Sequence, residues 1–159
     1  MIILAIWHVN QSPLLLAILA FFGIQLQGTL YNYYYVILRN KHNGDTTSRV
    51  FENEAPRALN GERQSTVDRL FKLYHLCYGT FDKVIYYLDS KVVENGKLPK
   101  WLMTAVSSFG LGFQLLIIAL MLILDLAHYI IPFFIGYSLL IFIFMGLRKS
   151  INQFSKRTF

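Results

Sequence analysis

His8, Asp125 and His128 are the residues whose types could do chemistry together. Two imidazoles and a carboxylate are donors that first-row transition metals accept, and two imidazoles can ligate a haem iron from opposite faces. Neither histidine sits in an HxxxH or HExxH pattern, so their convergence depends on how the elements carrying them are arranged. Asp125 can also be read as a proton or ion site, because an acid near a membrane marks a functional site by default. As a residue of a turn reaching outer water, it needs no such role.

His75 and Cys77 form a second pair of reactive types. Two positions apart on a helix they point in different directions, so a Cys-His nucleophile would need a base from elsewhere. The simpler expectation is a surface histidine and a packed cysteine. Gln25, Gln27 and Gln114 are amides in apolar surroundings, suited to interhelical hydrogen bonds or, in an assembly of copies, to a polar path. Asn10-Gln11-Ser12 fits the N-glycosylation pattern. The sequence contains no phosphate-binding glycine loop, Cys-Cys zinc pair, Asp-x-x-Asp pair or GxSxG elbow.

These side chains are carried by an unusually apolar chain. Of 159 residues 55% are hydrophobic, above the roughly 45–50% of soluble domains. From Trp101 to Leu147 the only acid is Asp125, and there is no Lys or Arg. As one helix that block would run for about 70 Å, more than twice the ~30 Å hydrocarbon core of a bilayer. It must therefore fold back on itself. Residues 101–147 are expected to form a two-helix transmembrane hairpin, with its outer turn near 125–130. Thr104, Ser108 and Gly112, four residues apart, give the first of these helices a face for close packing.

Ser12-Pro13 predicts a helix start, and a first span over residues 13–37 follows. Residues 1–12 form an outer segment, anchored at the interface by Trp7 or extending the span. Tyr31, Tyr33, Tyr34 and Tyr35 precede Arg39 and Lys41, as expected for an aromatic belt at headgroup level. Residues 1–38 hold no charged side chain, whereas 39–100 hold eleven Lys/Arg with eight acids, and 148–159 hold four Lys/Arg and no acid. Both cationic segments then belong on the cytoplasmic side, the N-terminus outside and the C-terminus inside. A bacterial inner membrane and a eukaryotic internal membrane fit equally.

Residues 38–100 form a cytoplasmic helical loop, broken at Asn43-Gly44-Asp45, Pro56 and Asn60-Gly61. Ser65 with Asp68 marks a helix start. From about 65 to 89 apolar residues recur at steps of three and four, including Phe71, Tyr74, Tyr78 and Phe81. This predicts an amphipathic helix on the cytoplasmic leaflet or against the ends of the spans, with Arg69, Lys72 and Lys83 on its other side. Asn95-Gly96 makes a turn before Pro99-Lys100-Trp101 re-enters the membrane, and 148–159 is a basic tail. The cations are interleaved with acids, which suits topology and lipid headgroups rather than nucleic acid.

Residues 57–62, Arg-Ala-Leu-Asn-Gly-Glu, resemble in residue types the first cytoplasmic loop of the small membrane glutathione transferases. The spacing departs from that family's, and residues 65–88 are too charged for its next span, so no family site is carried over.

The fold class read from the sequence is thus an all-α integral membrane protein, with three transmembrane helices and one amphipathic cytoplasmic helix between the first and second. The expected function is non-catalytic: a subunit, assembly factor or regulatory or immunity-type partner of another membrane protein, or of itself, in the lipid bilayer. No cofactor is required by this reading. One alternative is a membrane enzyme or redox subunit using His8, Asp125 and His128, with haem or a metal. The other is a homo-oligomeric pore.

Overall fold

A computed structural model of the chain describes residues 2–41, 54–90, 92 and 98–157. The Asn43-Gly44-Asp45 loop and the Asn95-Gly96 turn lie outside the described residues. Helix α1 spans Ile2–Asn10, α2 Leu14–Lys41, α3 Gln64–Cys77 and α4 Gly79–Asp89. Helix α5 covers Lys100–Val106, and a 3-10 turn at Ser107–Phe109 leads to α6, Leu111–Ile123. A second 3-10 turn at Ala127–Tyr129 precedes α7, Ile130–Ser138, and α8, Leu140–Arg157. No strand occurs among the described residues.

Two helical stretches, Leu14–Asn40 and Ala127–Ile151, are long and apolar enough to cross a membrane. Each shows much of its apolar surface outward, as a lipid-facing helix must. A third candidate is not straight. Lys100–Phe109 and Leu111–Ile123 meet at an angle of 52°. The unbroken second helix expected from the sequence is therefore corrected to a bent one, for a chemical reason. Ser107 Oγ donates to the Thr104 carbonyl at 2.6 Å and Ser108 Oγ to that of Ala105 at 2.7 Å. Hydroxyls bonded to preceding carbonyls compete with the amide ladder and bend helices. Gly110 then adopts an extended backbone, φ −64° and ψ 147°. Nearby, the Tyr137 hydroxyl donates to the Ser108 carbonyl at 3.4 Å.

The core has two parts, distributed along α2, an outer one toward its N-terminal end and an inner one toward its C-terminal end. The outer cluster gathers Ala17 and Ala20 of α2, Ile3 and Ile6 of α1, Ile118 of α6, and Ile130, Ile131 and Phe134 at the start of α7. The opening residues are thus a separate helix that folds back on the start of α2. Trp7 Nε1 donates to the Ser12 carbonyl at 2.7 Å and fixes the turn. The inner cluster gathers Leu30, Tyr33, Tyr34 and Ile37 of α2, Ile85 of α4, Leu102, Met103, Val106 and Phe109, and Ile141 and Met145 of α8.

The amphipathic helix expected over 65–89 is two helices joined at Tyr78. Its start is Gln64, not Ser65: Arg63 is the cap position and supplies no side-chain bond. Gln64 instead ties the preceding loop, accepting from the Ala58 amide at 2.8 Å and donating to the Pro56 carbonyl at 3.1 Å. At Gly79 a Cβ would lie 2.8 Å from His75 Nδ1, so a side chain there would displace the histidine. The two halves differ sharply in burial. Helix α3 buries no residue, whereas α4 buries Gly79, Ile85 and Asp89. Helix α4 runs alongside α2 and in the same direction, since Phe81 meets Phe22 at a ring separation of 5.8 Å and Asp89 meets Tyr34. This half packs along the flank of α2, not across the ends of the helices expected to span.

Candidate functional site

The inner end of the bundle holds the most buried charges among the described residues. Asp89 is 2% exposed and Arg148 1%. Helix α4 delivers Asp89 because it occupies the position four residues after Ile85, on the stripe that α4 turns toward α2. Helix α8 delivers Arg148 in the same way, three residues after the buried Met145 and seven after Ile141. Each charge therefore sits where the periodicity calls for an apolar side chain.

Arg148 Nη2 donates to Asp89 Oδ1 as a buried ion pair. The second carboxylate oxygen, Oδ2, accepts the Tyr34 hydroxyl at 2.6 Å. Tyr33 closes the arrangement by donating to the Asp89 backbone carbonyl at 3.2 Å. Three helices, α2, α4 and α8, are thereby joined through one carboxylate. Arg148 Nε and Nη1 are buried and have no hydrogen-bond partner among the described residues. Desolvating an ion pair costs several kcal/mol per ion, and such pairs are best attested as fixing register or as switches, not as sources of stability.

A second polar tie lies between the two apolar clusters. Gln114 Nε2 donates to Gln27 Oε1 at 3.0 Å, and Gln27 Nε2 donates to Ser138 Oγ at 2.9 Å. Ser138 in turn donates to the Phe134 carbonyl at 2.7 Å. Gln27 is fully buried and Gln114 3% exposed. The tie needs close backbones: a Cβ on Gly23 would collide with Ser138 Oγ. Gln27 and Gln114 thus bond to each other inside the chain.

At the opposite end, α1 packs against the 3-10 turn at Ala127–Tyr129, which places His8 and His128 on adjoining elements. Both are exposed, as is Asp125, whose φ of 57° closes the turn. No group of three or more His, Cys, Asp or Glu side chains that could hold a metal ion occurs among the described residues. Asn10 Nδ2, the atom a glycan would occupy, donates to the Ala127 carbonyl at 2.7 Å.

The remaining candidates separate into two groups. Thr104 is exposed, with its hydroxyl bonded to the Lys100 carbonyl at 3.1 Å, and Gly112 is exposed with open space beside it. Ser108, half-buried, serves the bend. Inside the chain, the segment Lys100–Phe109 packs instead through Leu102, Met103, Val106 and Phe109. Phe81 meets Phe22 within the chain, Phe71 is half-buried against His75, and Tyr74 stacks on Tyr78, both of them exposed. Cys77, expected to pack, is exposed.

Sequence reasoning passed over Asp89 and Arg148, although one signal could have found them. Each interrupts an apolar stripe with a charge of opposite sign to the other. Comparison of the chain with protein-family models, curated proteins and solved structures finds no match.

Proposed function

We propose that the chain is a non-catalytic, three-span membrane subunit that binds another membrane protein, with its N-terminus outside and its C-terminus in the cytoplasm. The observation that supports this most is the use made of its buried polar side chains. Asp89 and Arg148, and Gln27 and Gln114, bond to one another across helices and hold the bundle as a scaffold. Orientation follows from the distribution of Lys and Arg.

The partner-binding surface in this reading is the outer half of the bent span. Helix α6 buries only Gln114 and Ile118, leaving Leu111, Leu115, Leu116 and Leu120 exposed around Gly112. A glycine with open space beside it lets a second helix approach closely. Purification from native membrane in mild detergent, followed by mass spectrometry, tests the proposal. A stoichiometric partner lost on Gly112→Leu supports it, and a solitary chain in every detergent tried overturns it.

The packing of α1 on the outer 3-10 turn favours a second reading, an outer site that uses His8, His128 and Asp125, with haem as its cofactor. Purified protein with no Soret absorption after haem addition removes that reading.

A further inference from the structure

The apolar stripe of α4 does not end at its first residue; it continues across Tyr78 onto α3. On α4 the stripe is covered by the chain itself, with Phe81 against Phe22 and Ile85 inside the inner core. On α3 it runs through Val67, Leu70, Phe71 and Cys77, with Leu73 at its flank, and none of these residues is buried. Leu70 is 62% exposed and Leu73 55%. Asp68, Arg69 and Lys72 fall on the opposite side of the helix, by the 3.6-residue period.

The depth of this stripe identifies what covers it. Phe22 lies eight residues beyond Leu14, the start of a membrane-length helix, so it is about 12 Å inside that end. Phe81 touches Phe22, and Cys77 lies one helical turn, about 6 Å, from Phe81. The C-terminal end of α3 is therefore level with the hydrocarbon-facing part of the first span. An outward apolar side chain at that level meets acyl chains. We propose that α3 is a lipid-immersed oblique helix, with Leu70, Leu73 and Cys77 among the acyl chains beside α2, and with Arg69 and Lys72 extending toward headgroups along their own aliphatic stems. The proposal rests on the reading that the chain spans a membrane.

Cys77 is the chain's single cysteine and supplies the probe. A nitroxide is attached there in the full-length protein, which is reconstituted into vesicles of phosphatidylcholine with phosphatidylglycerol. Collision rates with oxygen, which concentrates in lipid, and with a water-soluble nickel chelate are then compared. Lipid immersion gives an oxygen rate several-fold above the nickel rate. A control label at Leu116→Cys in a Cys77→Ser background reports on the exposed face of α6. If the control favours oxygen and Cys77 favours nickel, the α3 proposal is overturned while the membrane reading stands. If both favour nickel, the membrane reading itself fails. Protection of Cys77 from both reagents, or dipolar broadening between labels on two copies, places protein on the stripe and also overturns the proposal.

Discussion

Asp89 and Arg148 are 59 residues apart in the chain and meet as a buried ion pair, with the Tyr34 hydroxyl on the carboxylate's other oxygen. Asp89→Asn removes the countercharge while Arg148 stays buried. The expected loss is about 3–5 kcal/mol, far more than the pair itself contributes. Asp89→Asn combined with Arg148→Met should recover most of it. Unfolding of the four members of this double-mutant cycle in detergent measures the coupling, and additive losses would refute it.

Tyr34→Phe deletes one hydrogen bond to a charged oxygen and leaves the ring in place. A loss of about 1.5–3 kcal/mol is expected. Tyr33→Phe, which removes a longer bond to a backbone carbonyl, should cost about 0.5–1.5 kcal/mol. Equal losses in the two variants would show that the carboxylate is not the acceptor that matters.

At Gly23 α2 approaches Ser138 so closely that an added Cβ would collide with the Ser138 hydroxyl. Gly23→Ala must push the Ser138 hydroxyl away from Gln27 and loosen α2 from α7. Ser138→Ala alone removes two hydrogen bonds, the one from Gln27 and its own to the Phe134 carbonyl, and bonds between membrane helices average about 0.6 kcal/mol each. In the Ser138→Ala background, Gly23→Ala should be less damaging than in the wild type. Equal damage in both backgrounds, measured by resistance to denaturing detergent, would refute the contact.

The bend between Phe109 and Leu111 should respond to the side chains that cause it. Replacing Ser107 and Ser108 by Ala, with Gly110→Ala, returns the carbonyls to the amide ladder. Trp101 and Ile123 are both exposed and accept spin labels once Cys77 is replaced by Ser. Straightening a 52° bend lengthens the distance between them by roughly 3 Å. An unchanged distance would mean that packing against α2, not the hydroxyls, holds the bend.

What the sequence made legible follows from how far each signal reaches. Apolar length is a local property, so the regions of Leu14–Asn40 and Ala127–Ile151 could be read directly. Helical period is also local, and it marked the stripe from Val67 to Leu88. Whether that stripe would meet lipid or the chain is a non-local question. Phe81 and Ile85 found α2, and Leu70 did not. The tyrosine belt was half legible. Tyr35 is exposed, as a belt residue should be, but Tyr33 and Tyr34 are buried and donate to Asp89. Asp89 and Arg148 were masked by a stronger prior: Arg148 follows a long apolar run, where a cation ordinarily sets topology. Ser108 was read as part of a packing face with Thr104 and Gly112, and Ser107 and Gly110 as ordinary positions of one helix, because their effect on the amide ladder depends on which carbonyls the hydroxyls choose.

The separation of Asp89 from Arg148 also orders the birth of the molecule. A ribosome adding about 5–20 residues per second releases Arg148 some 3–12 s after Asp89. Throughout that interval the carboxylate lacks its Arg148 partner, and water is the environment that keeps it solvated most cheaply. Docking of α4 on α2 is therefore a late event of biogenesis, completed when α8 brings its arginine to Asp89.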